Sequence, residues 1–337
     1  METLLGNSSE KQELRFRLNS IRLFHFKLLQ EKYYDINFIP LSQFLLDKSL
    51  EQKIDTTLFK KGIENFYKYQ EALNEDYNFL PLDRVFVGLH KINGKPNEKF
   101  DEFGGYYSKY QTYYHLEQIS LTSLMGCYVS GNYHKTLTTL ELLRSYFHDS
   151  IHFNTFRSYK LKYNYHSDIR LEDIHRLQYG FNFRREDGKS FSNLDSKEAK
   201  TTRNLGMIME GVTDDFSKLA IAKIIEDEKI SLSDLSHFEN VILNEITSTT
   251  FKESYPSDDA FSAEEANYLN RINDAYKTVW KLYYQFLNEF SVGSKQDFRN
   301  FIFTTMINGD HIAFKDYFNR QLNDVNGFDK LFKSPHF

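Results

Sequence analysis

Apolar residues recur every three or four positions along most of this chain, the spacing that gathers them on one side of an α-helix. In LELLRSYFHDSIHF, residues 140–153, Leu140, Leu143, Phe147 and Ile151 form such a stripe, and the pattern predicts a helix from about Lys135 to Tyr159. A second long helix is predicted over Asn204–Ile225, where Leu205, Met207, Ile208 and Met209 precede Glu210 and Val212 follows it. Near the start, Ser9-x-x-Gln12 reads as a capping box ahead of Leu14, Leu18, Ile21 and Leu28, a helix running to about Tyr34. Leu41–Leu50, Ile54–Leu73 and Leu171–Tyr179 read as further helices. From about Ser231 the chain looks helical to its end. Ser262-x-x-Glu265 caps Ala266–Phe290, and Gly293-Ser294 marks a stop and a new start.

The period shortens after residue 80. Val85, Val87 and Leu89 alternate within Arg84–His90, a strand signal, and Asn93-Gly94 marks a turn. Ile119 and Leu121 alternate as in a short antiparallel edge strand. The tyrosines of YYSKYQTYY (106–114) read as amphipathic packing, and the polar residues 182–200 as a surface loop. The expectation is a mostly α, α+β fold with weak boundaries: an N-terminal helical region 1–80, a mixed core 81–256 and a C-terminal helical region 257–337.

Composition fits this picture, with 31 Phe and 23 Tyr against only 5 Pro and 15 Gly in 337 residues. A net charge of -5 argues against a nucleic-acid partner. The single cysteine, Cys127, excludes an internal disulfide framework and a Cys-rich zinc site. The first residues lack a secretory-signal pattern, and no run of about 18 apolar residues suggests a membrane span. The cytoplasm is the default address, with export by a signal-independent route left open.

His148 and His152 lie four residues apart, so both imidazoles project from one helix face, and Asp149 completes H-D-x-x-H. Two neutral imidazoles on adjacent turns can grip one Zn²⁺ at about 2.0–2.1 Å each, and an acid beside the first can reach a water on the metal. Glu210 interrupts an apolar run, and a carboxylate taken out of water there needs a cation or strong donors. Asp214, four residues on, shares its face. The plainer alternative is two histidines in ordinary hydrogen bonds and a glutamate on the solvent edge of its helix.

Together, H-D-x-x-H and the downstream Glu210-Gly211-Val212-Thr213-Asp214 resemble the gluzincin class of zinc metallopeptidases, which carry H-E-x-x-H on one helix and a glutamate ligand on a second. The resemblance spans roughly residues 105–225. It implies a zincin-like core, His148, His152 and Glu210 as zinc ligands, Asp149 as general base, Asp214 as partner of a histidine, and a protein or peptide substrate. Asp149 departs from the family's glutamate and is one methylene shorter, and Met209 stands where several bacterial relatives have asparagine. Tyr255, Tyr276, Tyr283, His237 and His311 are candidate oxyanion donors. Residues 104–115 could form a cleft edge that pairs with an extended peptide. Two other readings stay open: a metal-dependent enzyme acting on a non-peptide substrate, and an inactive zincin-like helical interaction protein.

Overall fold

The computed structural model describes residues 2–18, 36–46, 54–71, 79–90, 134–162, 173–192 (except 186 and 188), 203–249 and 261–337, with short pieces at 31, 34, 77, 104–105 and 120–122. After a helical stretch over residues 8–18 come α1 (Leu41–Phe44), α2 (Thr56–Glu71), α3 (Lys135–Asn154), α4 (Leu205–Asp227) and α5 (His237–Thr247). The C-terminal part adds α6 (Ala263–Phe290), α7 (Lys295–Asn308), α8 (His311–Gln321) and α9 (Gly327–Phe332). The strands are β1 (Glu2–Leu4), β2 (Ile36–Pro40), β3 (Val85–His90), β4 (Gly104–Gly105), β5 (Ser120–Thr122), β6 (Arg157–Lys162), β7 (Asp173–Tyr179) and β8 (Asn182–Phe183). They form two mixed sheets, ordered β1-β6-β7-β8 and β2-β3-β5-β4, with β1∥β6 and β3∥β5 the parallel pairs. The mostly helical α+β expectation holds.

Helix α3 is apolar on more than one side because it packs between neighbours. Leu137, Leu140, Leu142, Leu143, Tyr146, Phe147 and Ile151 are all buried, and α3 lies against α2, α4 and α5. Two glycines let its neighbourhood close up. A Cβ on Gly62 of α2 would lie 2.6 Å from Leu143, and one on Gly211 of α4 would lie 2.5 Å from Tyr283 of α6. Gly211 therefore sets how near α6 comes to the face of α4 that carries Glu210 and Asp214. Asn204 caps α4 by accepting from the Gly206 and Met207 amides, and reciprocal capping boxes start α5 (Ser236, Glu239) and α6 (Ser262, Glu265). One cluster of buried residues runs from Leu41 to Phe332. It absorbs the C-terminal phenylalanines, among them Phe286, Phe303, Phe314, Phe318 and Phe332.

Several local expectations change. Helix α3 stops at Asn154, because Thr155 turns extended (φ -56, ψ 129) and Arg157–Lys162 enters a sheet. The segment predicted as a helix over 171–179 is strand β7, held between β6 and β8. Its Ile174 packs with Tyr159 and Leu161 of β6 and with Leu14 and Leu18, so sheet pairing overrides its helical spacing. Residues 182–192 are more than a surface loop: β8 pairs with β7, Arg184 bridges Ser190, and Phe191 is buried against Phe183 and Phe328. Strand β5 lies between β3 and β4 rather than at an edge. The first helix begins at residue 8, capped by reciprocal bonds between Asn7 and Glu10 (2.8 and 3.0 Å) instead of by Ser9 and Gln12. The Asn93-Gly94 turn, the 106–114 tyrosines and Tyr255 lie outside the described residues. Among those described, no helix is long and apolar enough to cross a membrane.

Candidate metal centre

Helices α3 and α4 pack directly together, and their contact brings the three expected ligands to one point. His148 Nε2 lies 3.1 Å from His152 Nε2 and 3.0 Å from Glu210 Oε1, and His152 Nε2 lies 3.1 Å from Glu210 Oε2. Tetrahedral ligands at metal distances of about 2.05 Å are separated by about 3.3 Å, so the trio needs to open by only a few tenths of an ångström to take an ion. The histidines are buried, while the Glu210 side chain keeps 32% of its surface exposed. The group thus has a closed inner side and an open outer one.

Tyr179 of β7 orients one ligand, its hydroxyl lying 2.9 Å from His152 Nδ1. Burial pushes the Tyr179 hydroxyl up, so it stays protonated. Asp214 lies 3.8 Å from His148 Nδ1, beyond hydrogen-bonding distance. Its carboxylate instead accepts from Arg144 Nη1 (2.7 Å) and Trp280 Nε1 (2.8 Å), and pairs with Lys218 Nζ at 3.2 Å. Burial alone would raise its pKa, but Lys218, His148 and Arg144 outweigh that and hold it well below the carboxylate range. Removing Asp214 would leave Trp280 Nε1 without its acceptor and cut Arg144 and Lys218, both largely buried, back to one carboxylate each, Glu141 and Glu245. We expect Asp214→Ala to destabilise the fold by about 1–3 kcal/mol, the cost of buried donors left unmatched, read as a lowered midpoint in urea. A midpoint unchanged within error would mean that neither cation depends on it.

The site is strongly charged without a metal. Burial lowers the His148 pKa, but Glu210 and Asp214 more than reverse this and raise it to about 10. Burial likewise raises that of Glu210, and the two imidazoles override it to leave the carboxylate ionised far below its usual range. Below pH 10 a metal must therefore expel the His148 proton, which is lost spontaneously only as pH rises through that value. Metal affinity should rise about tenfold per pH unit between pH 6.5 and 8.5, with one proton released per ion. Competition with a chelator across that range checks this; an affinity flat in pH would refute it.

Asp149 is 3% exposed beside His148 on α3. Tyr276 of α6 brings its hydroxyl to 3.4 Å from Glu210 Oε1. Burial first, then the charges of Glu210, Asp214 and Asp149, raise the Tyr276 pKa well above normal, which keeps it a proton donor. Of the other oxyanion candidates, Tyr283 donates to Asp215 at 2.7 Å, His237 stacks on Phe261, and His311 packs against Phe183. Arg144, Lys218, Tyr179 and Trp280 were not anticipated. The first two had a signal, since Arg144 precedes His148 by four residues and Lys218 follows Asp214 by four. Tyr179 and Trp280 arrive from distant segments and had none. Comparison with known family models, curated proteins and solved structures finds no match. The arrangement is a His–His–Glu group able to hold a metal ion in a mostly helical protein.

Proposed function

We propose that this protein is a zinc-dependent hydrolase of gluzincin type, acting on a protein or peptide substrate. The observation that supports this most is the convergence of His148 and His152 from one helix with Glu210 from a second, their ligand atoms 3.0–3.1 Å apart. A two-nitrogen, one-carboxylate set with an exposed side suits catalytic zinc, which leaves one position open. When bound there, zinc supplies Lewis acidity and lowers the pKa of water to about 7. His148, His152 and Glu210 would hold the ion through Nε2, Nε2 and a carboxylate oxygen. Tyr179 holds the orientation of the His152 ring, and with its hydroxyl accepting from Nδ1–H the Nε2 lone pair would be left for the metal. Asp149 would accept the proton of the attacking water, and the Tyr276 hydroxyl would donate to the oxyanion that develops on the substrate carbonyl. The Arg144–Asp214–Lys218 cluster fixes a negative charge behind His148.

Metal analysis of protein purified without chelator, followed by digestion of a random peptide library, tests this reading. Stoichiometric zinc with zinc-dependent cleavage is expected. Zinc-free protein that takes up none on titration would sink the proposal. Bound zinc without peptide cleavage would instead favour a non-peptide substrate.

A further inference from the structure

Beside the His–His–Glu group a cavity of about 160 Å³ opens over strands β7 and β8, with His152, Glu210, Tyr179, Arg176, Asn182 and Arg184 in its wall. Drug-sized pockets occupy about 300–1,000 Å³, so this one suits a single group of a ligand. Its charge is unusual for a space next to a cation site. Two guanidiniums line it, and Glu210, the only carboxylate among its described lining residues, is turned to the two histidines.

Arg176 is the telling member. Its guanidinium lies over the Tyr179 ring, 5.0 Å from the centroid, and its Nε is buried with no hydrogen-bond partner among the described residues. No carboxylate among those residues pairs with it. The neighbouring Arg157 differs not at Nε, which also makes no hydrogen bond among the described residues, but at its terminal nitrogens, which donate to the His152, Phe153 and Thr155 carbonyls. Arg176 as a whole is half-buried, and this partial loss of water, with no anion beside it among the described residues, lowers its pKa from the ordinary arginine value. A half-buried cation with no such partner is placed to pair with an anionic group that visits the cavity. A planar guanidinium fork matches a carboxylate.

We propose that the cavity receives a carboxylate of the substrate, with Arg176 as the residue that recognises it and Arg184 and Asn182 alongside. The inference rests on reading the His–His–Glu group as the reactive centre, one tyrosine ring away. The enzyme would then select substrates that carry a carboxylate near the bond attacked, whether a chain terminus or an acidic side chain.

Two chelating probes test this on the zinc-loaded full chain by calorimetry: succinic acid monohydroxamate, which carries a carboxylate, and butanohydroxamate, which does not. The acid should bind about 10–100-fold more tightly, the worth of a charge-assisted bond. Arg176→Gln should erase the preference while leaving butanohydroxamate unchanged, and Arg176→Lys should restore part of it. Equal affinities in the wild-type chain would overturn the proposal, as would a preference untouched by Arg176→Gln. Should the chain take up no zinc, the metal reading fails by itself. Succinate against succinamide on the metal-free chain then decides the anion site: Arg176-dependent binding of succinate alone supports it, and any other result overturns it. Inorganic phosphate binding more tightly than succinate would assign the cavity to phosphoryl groups and also overturn the carboxylate reading.

Discussion

His148→Ala should strip the protein of its metal and of its activity together. Three protein ligands hold a catalytic zinc, and zinc sites release about 10–16 kcal/mol on binding, so one ligand is worth several kcal/mol. Loss of the imidazole should weaken zinc by ~10²–10⁴-fold in a chelator competition, and turnover should fall to background. The fold has reason to survive. Asp214 keeps Arg144, Lys218 and Trp280, and Glu210 keeps His152 at 3.1 Å. An unchanged far-UV circular dichroism spectrum would confirm that the loss is local. A variant that still binds zinc stoichiometrically with wild-type affinity would remove His148 from the ligand set.

The convergence of His148, His152 and Glu210 was legible because each part is a local signal. An i,i+4 pair needs only one helix, and a carboxylate in an apolar run marks a face that some cation must meet. What joins them, the packing of α3 on α4, follows from two helices too apolar to face water. The sheet beside them was not legible in the same way. A register irregularity at Leu177 breaks the alternation of β7 and brings Arg176 and Tyr179 to the same cavity, while the segment also carries apolar spacing that suits a helix. Only pairing with β6 and β8 decides between the two. Tyr179 and Arg176 could therefore not be placed at the site from sequence. Asp214 shows a different limit: it neighbours His148 and raises the imidazole pKa, but its direct hydrogen bonds go elsewhere. Its spacing from Glu210 put it on the correct face, and the resemblance made it the partner of a histidine. Three stronger donors, Arg144, Trp280 and Lys218, claim its carboxylate at 2.7–3.2 Å and leave His148 Nδ1 at 3.8 Å.

Whether this centre turns over a substrate depends on Asp149. A general base beside a ligand need not coordinate, so Asp149→Asn should leave zinc bound and lower kcat by about 10²–10⁴-fold, the usual contribution of a positioned acid–base group. Tyr276→Phe should also spare the metal, because its hydroxyl stands 3.4 Å from Glu210 Oε1, and should lower kcat through lost oxyanion stabilisation. The decisive change is Asp149→Glu, which restores the commoner motif with one more methylene. Asp149 is 3% exposed, so little free volume surrounds its carboxylate. A misplacement of about 1 Å can cost ~10²-fold in rate. If α3 already holds Asp149 at the working distance, the longer side chain overshoots, and activity should drop by about that factor with zinc affinity unchanged. If the shorter side chain falls short of the water, glutamate closes the gap and peptide hydrolysis should rise. A rise would place residue 149 in the reaction by itself; a drop would do so only with stability unchanged, since an added methylene at so buried a position can also strain the packing. Wild-type turnover that survives Asp149→Asn, with zinc still bound, would take Asp149 out of the mechanism and leave the ion structural or served by another base.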